Sequence, residues 1–129
     1  MAGAGRKLIL VADDEKDIAE IVCEMLEGEG YETVQAYDGE EALRIIRGRR
    51  PGAAVLDIKM PGIDGLEVIR RLRQDPDLKA LPIVVLTATR IIRELEEEFR
   101  QLQVHSWMAK PFEPDHLIAA VKSALGDPA

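Results

Sequence analysis

The feature that most constrains the fold is an alternation of short apolar runs with amphipathic segments along the whole chain. The apolar runs span residues 7–12, 31–36, 53–56, 83–86 and 107–109. Runs of this length bounded by glycine, proline and acidic residues are typical of strands. The segment after the first run has apolar residues at helical spacing, at Ile18, Ile21, Val22, Met25 and Leu26. The same pattern returns after each later run, which predicts five strands and five helices.

Glycine, proline and aspartate mark the ends of these segments. Gly28 and Gly30 end the first helix, and the sequence 38–40 (DGE) opens the second. The sequence 75–77 (DPD) breaks the third helix, and Pro114 suits the first turn of the last one. The boundaries therefore agree with the periodicity.

Strict alternation of strands and helices predicts an α/β fold with a doubly wound parallel sheet. Parallel strands joined by right-handed crossovers all end at the same edge of the sheet. Ligands of such sheets bind in the crevice beyond the carboxyl ends of the strands. We therefore look for chemistry in the residues that follow each strand.

The length of 129 residues fits one compact domain. We predict a single domain over residues 1–129 with a core over about residues 6–126, and we find no linker or repeat. The chain is 47% apolar but only 4% aromatic, so the core must consist of aliphatic side chains.

The charge and the cysteine content limit the partners and the compartment. A net charge of -7 disfavours nucleic acid binding by this chain. Cys23 is the only cysteine, which excludes an intrachain disulfide and fits a reducing compartment. No apolar run has the ~20 residues of a membrane span, and residues 1–5 lack the apolar stretch of a signal peptide. These features predict a cytoplasmic protein that does not enter membranes.

Five polar residues are expected to meet in the crevice. Asp13 and Asp14 follow the first strand, Asp57 the third, Thr87 the fourth and Lys110 the fifth. Each residue alone has an ordinary explanation, as a helix cap, a turn former, a strand-end hydroxyl or a surface cation. Together, the five residues require a different explanation.

Three carboxylates in one crevice repel one another by about 4 kcal/mol per pair at ~4 Å and an effective dielectric constant of about 20. A bound divalent cation removes this repulsion. The candidate ligands carry only oxygen donors, which favours Mg²⁺, or alternatively Mn²⁺, over zinc.

A magnesium site of this kind suits phosphoryl transfer, which needs an in-line nucleophile and positive charge near the phosphoryl oxygens. Asp57 can act as the nucleophile. Lys110 can neutralise one phosphoryl oxygen, and the Thr87 hydroxyl can donate a hydrogen bond to another. Asp13 and Asp14 then hold the metal.

Four motifs resemble the receiver domains of response regulators: residues 11–15 (VADDE), 56–65 (LDIKMPGIDG), 86–88 (LTA) and 110–112 (KPF). The resemblance covers nearly the whole chain, and the motifs come in the right order at four strand ends. It implies a flavodoxin-like sheet with strand order 2-1-3-4-5. It also implies that Asp57 is the phosphoacceptor, Asp14 a direct metal ligand, Asp13 a ligand through water, and the backbone carbonyl of Lys59 a further ligand.

The resemblance implies a switch in two-component signalling instead of a classical enzyme. The phosphoryl donor would be a phosphohistidine on a histidine kinase or phosphotransfer protein, and the receiver would itself catalyse the transfer and the later hydrolysis. The signal would pass to a protein partner through the fourth helix, fifth strand and fifth helix, with phosphorylation-dependent homodimerisation as one outcome.

Further roles follow from the resemblance. It implies a cis peptide between Lys110 and Pro111, an arrangement that only proline makes cheap. Trp107 stands where the family has an aromatic side chain that turns inward when Thr87 shifts toward the phosphoryl group. Lys59 and Thr89 stand at variable positions that border the path of the attacking water, and we expect them to tune hydrolysis.

The chain departs from the family at residues 101–106 (QLQVHS), where a turn resembling Gly-Ala-Asp is usual. The end of the fourth helix is therefore expected to differ. Its many glutamates and arginines are best explained as a solvated face with local ion pairs.

Three other functions compete. A phosphatase of the haloacid dehalogenase type would need an acid two residues after the nucleophile, where this chain has Lys59. A flavodoxin-like cofactor binder would suffer repulsion between the Asp-rich first loop and an FMN phosphate. A receiver that acts by protein contact without phosphorylation is the remaining alternative.

Overall fold

The computed structural model describes residues 6–128. Residues 1–5 and 129 of the predicted domain lie outside the described residues. The strands are β1 (Leu8–Ala12), β2 (Glu32–Ala36), β3 (Ala53–Leu56), β4 (Ile83–Ala88) and β5 (Ser106–Lys110). The helices are α1 (Lys16–Gly28), α2 (Gly39–Arg49), α3 (Gly65–Gln74), α4 (Thr89–Gln101) and α5 (Pro114–Leu125). The sheet has the order β2-β1-β3-β4-β5, and all its strand pairs are parallel. The predicted fold class and strand order are confirmed.

The helices lie on both faces of the sheet. One face is covered by α1 and α5, which pack on side chains such as Ile9 and Val11 of β1. The other is covered by α2, α3 and α4, which pack on Leu10 of β1. Side chains alternate between the faces because successive residues of a strand point in opposite directions. Each buried Leu or Ile contributes roughly 1.5–3 kcal/mol, so both faces contribute substantially to stability.

Local caps fix two of the helix starts near the crevice. The Asp38 carboxylate accepts from the Glu41 backbone N–H at 2.8 Å at the start of α2. The Asp64 carboxylate accepts from the Glu67 backbone N–H at 2.9 Å at the start of α3. Such caps satisfy N–H groups that the helix itself cannot pair.

The last two strands are longer than the periodicity predicts. β4 extends through Thr87 to Ala88, and β5 extends from Ser106 to Lys110. The two strands stay paired up to Ala88 and Lys110. Periodicity alone does not detect this extension because Thr87 and Lys110 are polar residues held in the sheet by backbone pairing. None of the helices within residues 6–128 is both long enough and apolar enough to cross a membrane.

The turn between α4 and β5 lacks glycine and is held by an arginine. Gln103 has a left-handed backbone (φ 56°), a conformation that glycine usually supplies after a helix. The half-buried guanidinium of Arg73 donates to the carbonyl oxygens of Leu102 at 2.7 Å, Leu81 at 2.9 Å, Lys79 at 3.1 Å and Gln103 at 3.3 Å. Burial lowers the pKa of Arg73, and the hydrogen bonds to these carbonyl groups offset the cost of burying the charge. Arg73 thus joins the end of α3 to the segments before β4 and β5.

We predict that Arg73→Ala lowers the free energy of unfolding by about 2–4 kcal/mol, because it removes several charge-assisted hydrogen bonds and leaves partly buried carbonyl groups without partners. Urea unfolding measures the change. Arg71→Ala is the control, because Arg71 is exposed and, within the described part of the chain, pairs only with Glu67 on the same helix. Its loss should cost no more than about 0.5 kcal/mol. Equal effects of the two substitutions would contradict the role assigned to Arg73.

Candidate functional site

The carboxyl ends of the strands bring the predicted site residues together. Asp13 and Asp14 directly follow β1, and Asp57 directly follows β3. Thr87 lies near the end of β4, and Lys110 is the last residue of β5. Hydrogen bonds and ion pairs now link Asp13, Asp57, Thr87 and Lys110.

Asp57 lies at the centre of the crevice, and the residue is only 6% exposed. Its Oδ1 accepts from the Thr87 hydroxyl at 2.7 Å and from the Ile58 backbone N–H at 2.6 Å. The Lys59 backbone N–H lies 3.3 Å from the same oxygen. The Oδ2 atom accepts from Lys110 Nζ at 2.7 Å. This set of donors fixes the orientation of the carboxylate.

Lys110 is the cation that the surrounding acids share. Its Nζ lies 2.7 Å from Asp13 Oδ2, 2.7 Å from Asp57 Oδ2 and 3.2 Å from Glu15 Oε1. Burial lowers the pKa of Lys110, but the hydrogen bonds to Asp13 and Asp57 outweigh burial and raise its pKa above the usual range. The peptide bond between Lys110 and Pro111 is cis. Lys110 is therefore a charged group aimed at the Asp57 carboxylate.

The acids of the crevice form a cluster that suits a divalent cation. Asp13, Asp14 and Asp57 each offer a carboxylate oxygen, and these oxygens all lie within 4.8 Å of one another. Burial raises the pKa of Asp13, and the hydrogen bond from Lys110 opposes this shift. Among residues 6–128, Asp14 has no cationic side chain within ion-pair distance, so Lys110 alone does not balance the cluster. An all-oxygen set with excess negative charge fits Mg²⁺.

The loop after Asp57 passes close to the end of β3. A Cβ atom at Gly65 would lie 2.2 Å from the Asp57 carbonyl oxygen, a distance that no side chain permits. The Gly65 N–H donates to the Ile58 carbonyl at 2.8 Å, and Gly62 has a left-handed backbone (φ 74°). Glycine at these two positions lets the loop return to start α3 beside the phosphoacceptor candidate.

Other candidate residues lie at the rim or further along the sheet. Lys59 and Thr89 are exposed, and Thr89 is the first residue of α4. Trp107 is half-buried on the α4 side of the sheet, where its ring lies 5.7 Å from that of Phe99. The metal ligation expected of the Lys59 carbonyl and the roles expected of Thr89 and Trp107 remain predictions.

Glu15 is a site residue that the sequence analysis did not identify. It contacts Lys110, and its backbone N–H donates to Asp13 Oδ1 at 3.0 Å. Its position directly after Asp13 and Asp14 in the loop following β1 was the available signal. A third acid in this loop increases the negative charge around Lys110.

Comparisons with known proteins agree with the geometry. The family model described as a response regulator receiver domain matches residues 9–122. The polar-differentiation response regulator DivK of Brucella anthropi is 32% identical over 121 residues, which cover 94% of this chain and 98% of that protein. A crystal structure described as a response regulator from Chloroflexus aurantiacus is similar with a TM-score of 0.87 and 40% identity, over 94% of this chain and 98% of that one.

Longer relatives match as well. The alkaline phosphatase synthesis transcriptional regulatory protein PhoP of Bacillus subtilis is 40% identical over 124 residues, which cover 92% of this chain but only 48% of that protein. The chain thus spans about half the length of this relative.

We predict that Mg²⁺ stabilises the protein by about 2.7 kcal/mol when its concentration is about 100 times its Kd. Asp14→Asn should abolish most of this gain while changing the metal-free stability little, because Asp14 is exposed. Urea unfolding with and without Mg²⁺ measures both quantities.

Asp77→Asn is the control for the metal measurement, since Asp77 is an exposed acid between α3 and β4 outside the cluster. It should keep the full gain. The same Mg²⁺ stabilisation in Asp14→Asn and in the unmodified chain would exclude Asp14 as a ligand.

Proposed function

This chain belongs to the response regulator receiver domain family, and we propose that it is a phosphorylation switch that accepts a phosphoryl group on Asp57 in a Mg²⁺-dependent reaction. Receiver domains of two-component systems interact with histidine kinases and with downstream effectors. The observation that carries the proposal is the buried Asp57 carboxylate, which is held between Lys110 and the Thr87 hydroxyl beside two further acids.

The transfer is a displacement at phosphorus. An oxygen of Asp57 attacks the phosphorus atom of a phosphohistidine on a histidine kinase or phosphotransfer protein, the P–O bond forms and the P–N bond breaks. The electron pair of the broken bond stays on the imidazole nitrogen of the donor. Hydrolysis returns the protein to its unphosphorylated state. Water attacks phosphorus, the P–O bond to Asp57 breaks, and inorganic phosphate and the free carboxylate result. The chain is therefore a phosphoacceptor switch with self-catalysed transfer and dephosphorylation, not a classical enzyme.

The side chains have distinct roles in this reaction. Lys110 places a positive charge next to the attacked position, and the Thr87 hydroxyl, now bonded to Asp57, can donate to a phosphoryl oxygen instead. Asp13, Asp14, Asp57 and the Lys59 backbone carbonyl would hold Mg²⁺ or Mn²⁺. The metal, when bound, supplies positive charge that offsets the charge on the phosphoryl oxygens.

The output is a change of the face formed by α4, β5 and α5. When the Thr87 hydroxyl shifts from the Asp57 carboxylate to a phosphoryl oxygen, we expect it to leave space along β4 into which Trp107 on the neighbouring strand can turn. A protein partner would recognise the changed face, and a phosphorylation-dependent homodimer would use the same surface. We expect this to take place in the cytoplasm, without nucleic acid binding by this chain.

A receiver that acts by protein contact without phosphorylation is not favoured. Such a protein has no need for a buried aspartate, a lysine and a threonine hydroxyl in direct contact. The haloacid dehalogenase and flavodoxin-like alternatives are disfavoured by the family match over residues 9–122.

We predict that incubation with acetyl phosphate and Mg²⁺ adds the mass of one phosphoryl group to the protein. Intact mass spectrometry measures the product. Asp57→Ala should remain unmodified because it lacks the nucleophile, and chelation of Mg²⁺ should prevent modification of the unaltered chain.

Asp77→Ala is the matched control for phosphorylation, because it removes an exposed aspartate far from the crevice. It should accept one phosphoryl group like the unaltered chain. Modification of Asp57→Ala to the same extent would place the phosphoacceptor elsewhere and reject the proposal.

We predict that Lys59→Ala shortens the lifetime of the phosphorylated state, because a cationic side chain at the rim holds the phosphoryl group electrostatically and obstructs water. The change should be about two- to fivefold, which corresponds to a surface charge interaction of about 0.5–1 kcal/mol. Thr89→Ala should also alter the rate, because Thr89 borders the same path. The decay of intact mass after removal of the phosphodonor gives the lifetime.

Lys79→Ala, which changes an exposed lysine between α3 and β4, is the control for the decay measurement and should decay like the unaltered protein. If Lys59→Ala and Thr89→Ala each lost the phosphoryl group at the same rate as the unaltered chain, neither position would tune hydrolysis.

A further inference from the structure

Three residues of α4 hold Trp107 against the sheet, and we call Glu96, Phe99 and Arg100 together the α4 hook. The indole N–H of Trp107 points to Glu96 Oε2 at 3.4 Å. The Arg100 guanidinium lies over the indole ring, 5.7 Å from its centre, and pairs with the same Glu96 oxygen at 3.3 Å. Phe99 contacts the ring from within the core. One carboxylate oxygen therefore links the indole to the cation above it.

The polar part of the hook is not needed for core packing. The side chains of Glu96 and Arg100 are 43% and 56% exposed, whereas Phe99 is fully buried. Arg100 also pairs with Glu97 at 3.7 Å. Another ion pair on α4, between Arg90 and Glu94, has the same i,i+4 spacing at 3.9 Å, but no aromatic contact accompanies it among residues 6–128. Helix stabilisation alone thus explains the Arg90–Glu94 pair but leaves the contacts of Glu96 and Arg100 with Trp107 unexplained.

The β4–β5 register connects the hook to the site. Trp107 pairs with Val85, and two residues further along the same strands Ala109 pairs with Thr87. Val85 and Trp107 lie in the core cluster under α4, and Thr87 points to the same face of β4 because it is two residues after Val85. The ring of Trp107 is therefore next to the part of the sheet that a shift of Thr87 would open.

We propose that Glu96 and Arg100 are positioning residues that hold Trp107 in the unphosphorylated conformation and so set how easily occupation of Asp57 switches the protein. The inference rests on the proposed function. An inward-turned indole loses the bond to Glu96 and the contact with Arg100, so these interactions stabilise only the unphosphorylated conformation. Removing them raises the population of the switched conformation and with it the apparent affinity for a phosphoryl group analogue.

The test measures the binding of beryllofluoride, an analogue of the acyl phosphate, in the presence of Mg²⁺. We expect Glu96→Ala and Arg100→Ala to bind it about three- to tenfold more tightly than the unaltered chain, which corresponds to the loss of one or two weak surface contacts from the competing conformation. Calorimetry gives the affinity. Acrylamide quenching of Trp107 fluorescence without ligand should also increase in both variants, because the ring is no longer held.

The control is Glu94→Ala, which removes the Arg90–Glu94 ion pair of the same helix and should bind beryllofluoride like the unaltered chain. If the hook had only a structural role, its loss would lower stability and weaken beryllofluoride binding, which is the opposite of the tighter binding expected here. Unchanged or weaker binding by both hook variants overturns the inference while leaving the proposed function intact. Absence of binding by the unaltered chain, or equal binding by Asp57→Ala, rejects the proposed function and the role of the hook with it.

Discussion

One lysine ammonium shared by several carboxylates at the end of the sheet is the interaction on which the rest of the structure depends. Lys110 contacts Asp13, Asp57 and Glu15, while Asp14 lies close by without an ion pair among residues 6–128. Carboxylates this close repel one another unless cations lie between them. The sheet order and the close approach of Gly65 to the end of β3 both bring these groups together. The remaining negative charge suits a divalent cation, and the buried Asp57 carboxylate is the group that we propose as the nucleophile.

At the amino ends of the strands, the chain is held by a hydrogen bond and an ion pair to one carboxylate. There Tyr31 donates to Asp127 at 2.8 Å, and Lys7 pairs with the same carboxylate. Burial together with Asp127 raises the pKa of Tyr31 to about 12. Arg73 joins the nearby segments through their carbonyl groups. Asp127 is thus paired with neighbouring groups, whereas the carboxyl end of the sheet keeps an acid cluster that Lys110 alone does not balance.

The sequence predicts the fold class and the grouping of the site residues because both depend on periodicity and chain order. Asp57 and Lys110 are identified by their places after predicted strands. The contacts of Arg73 with Leu102 and of Trp107 with Glu96 could not be predicted in this way, because periodicity reports which side chains are buried but not which distant group they meet. The extensions of β4 and β5 were missed for a related reason, since backbone pairing does not depend on side-chain polarity.

The charged helix α4 is attached in a way that suits movement. Its exposed ion pairs contribute only about 0.3–0.5 kcal/mol each, so packing of its buried side chains Ile91 and Phe99 provides most of its attachment. Its start carries no side-chain cap at Ala88, and its end is held by Arg73 through the carbonyl of Leu102. The end of α4 is fixed by Arg73, whereas its start, next to Thr87, is held by the packing of Ile91 without a side-chain cap, so we expect any shift between two positions of the helix to occur at the start. A change of roughly 5.5 kcal/mol between two such positions is sufficient for a nearly complete switch, and a few new contacts to one phosphoryl group are of that order.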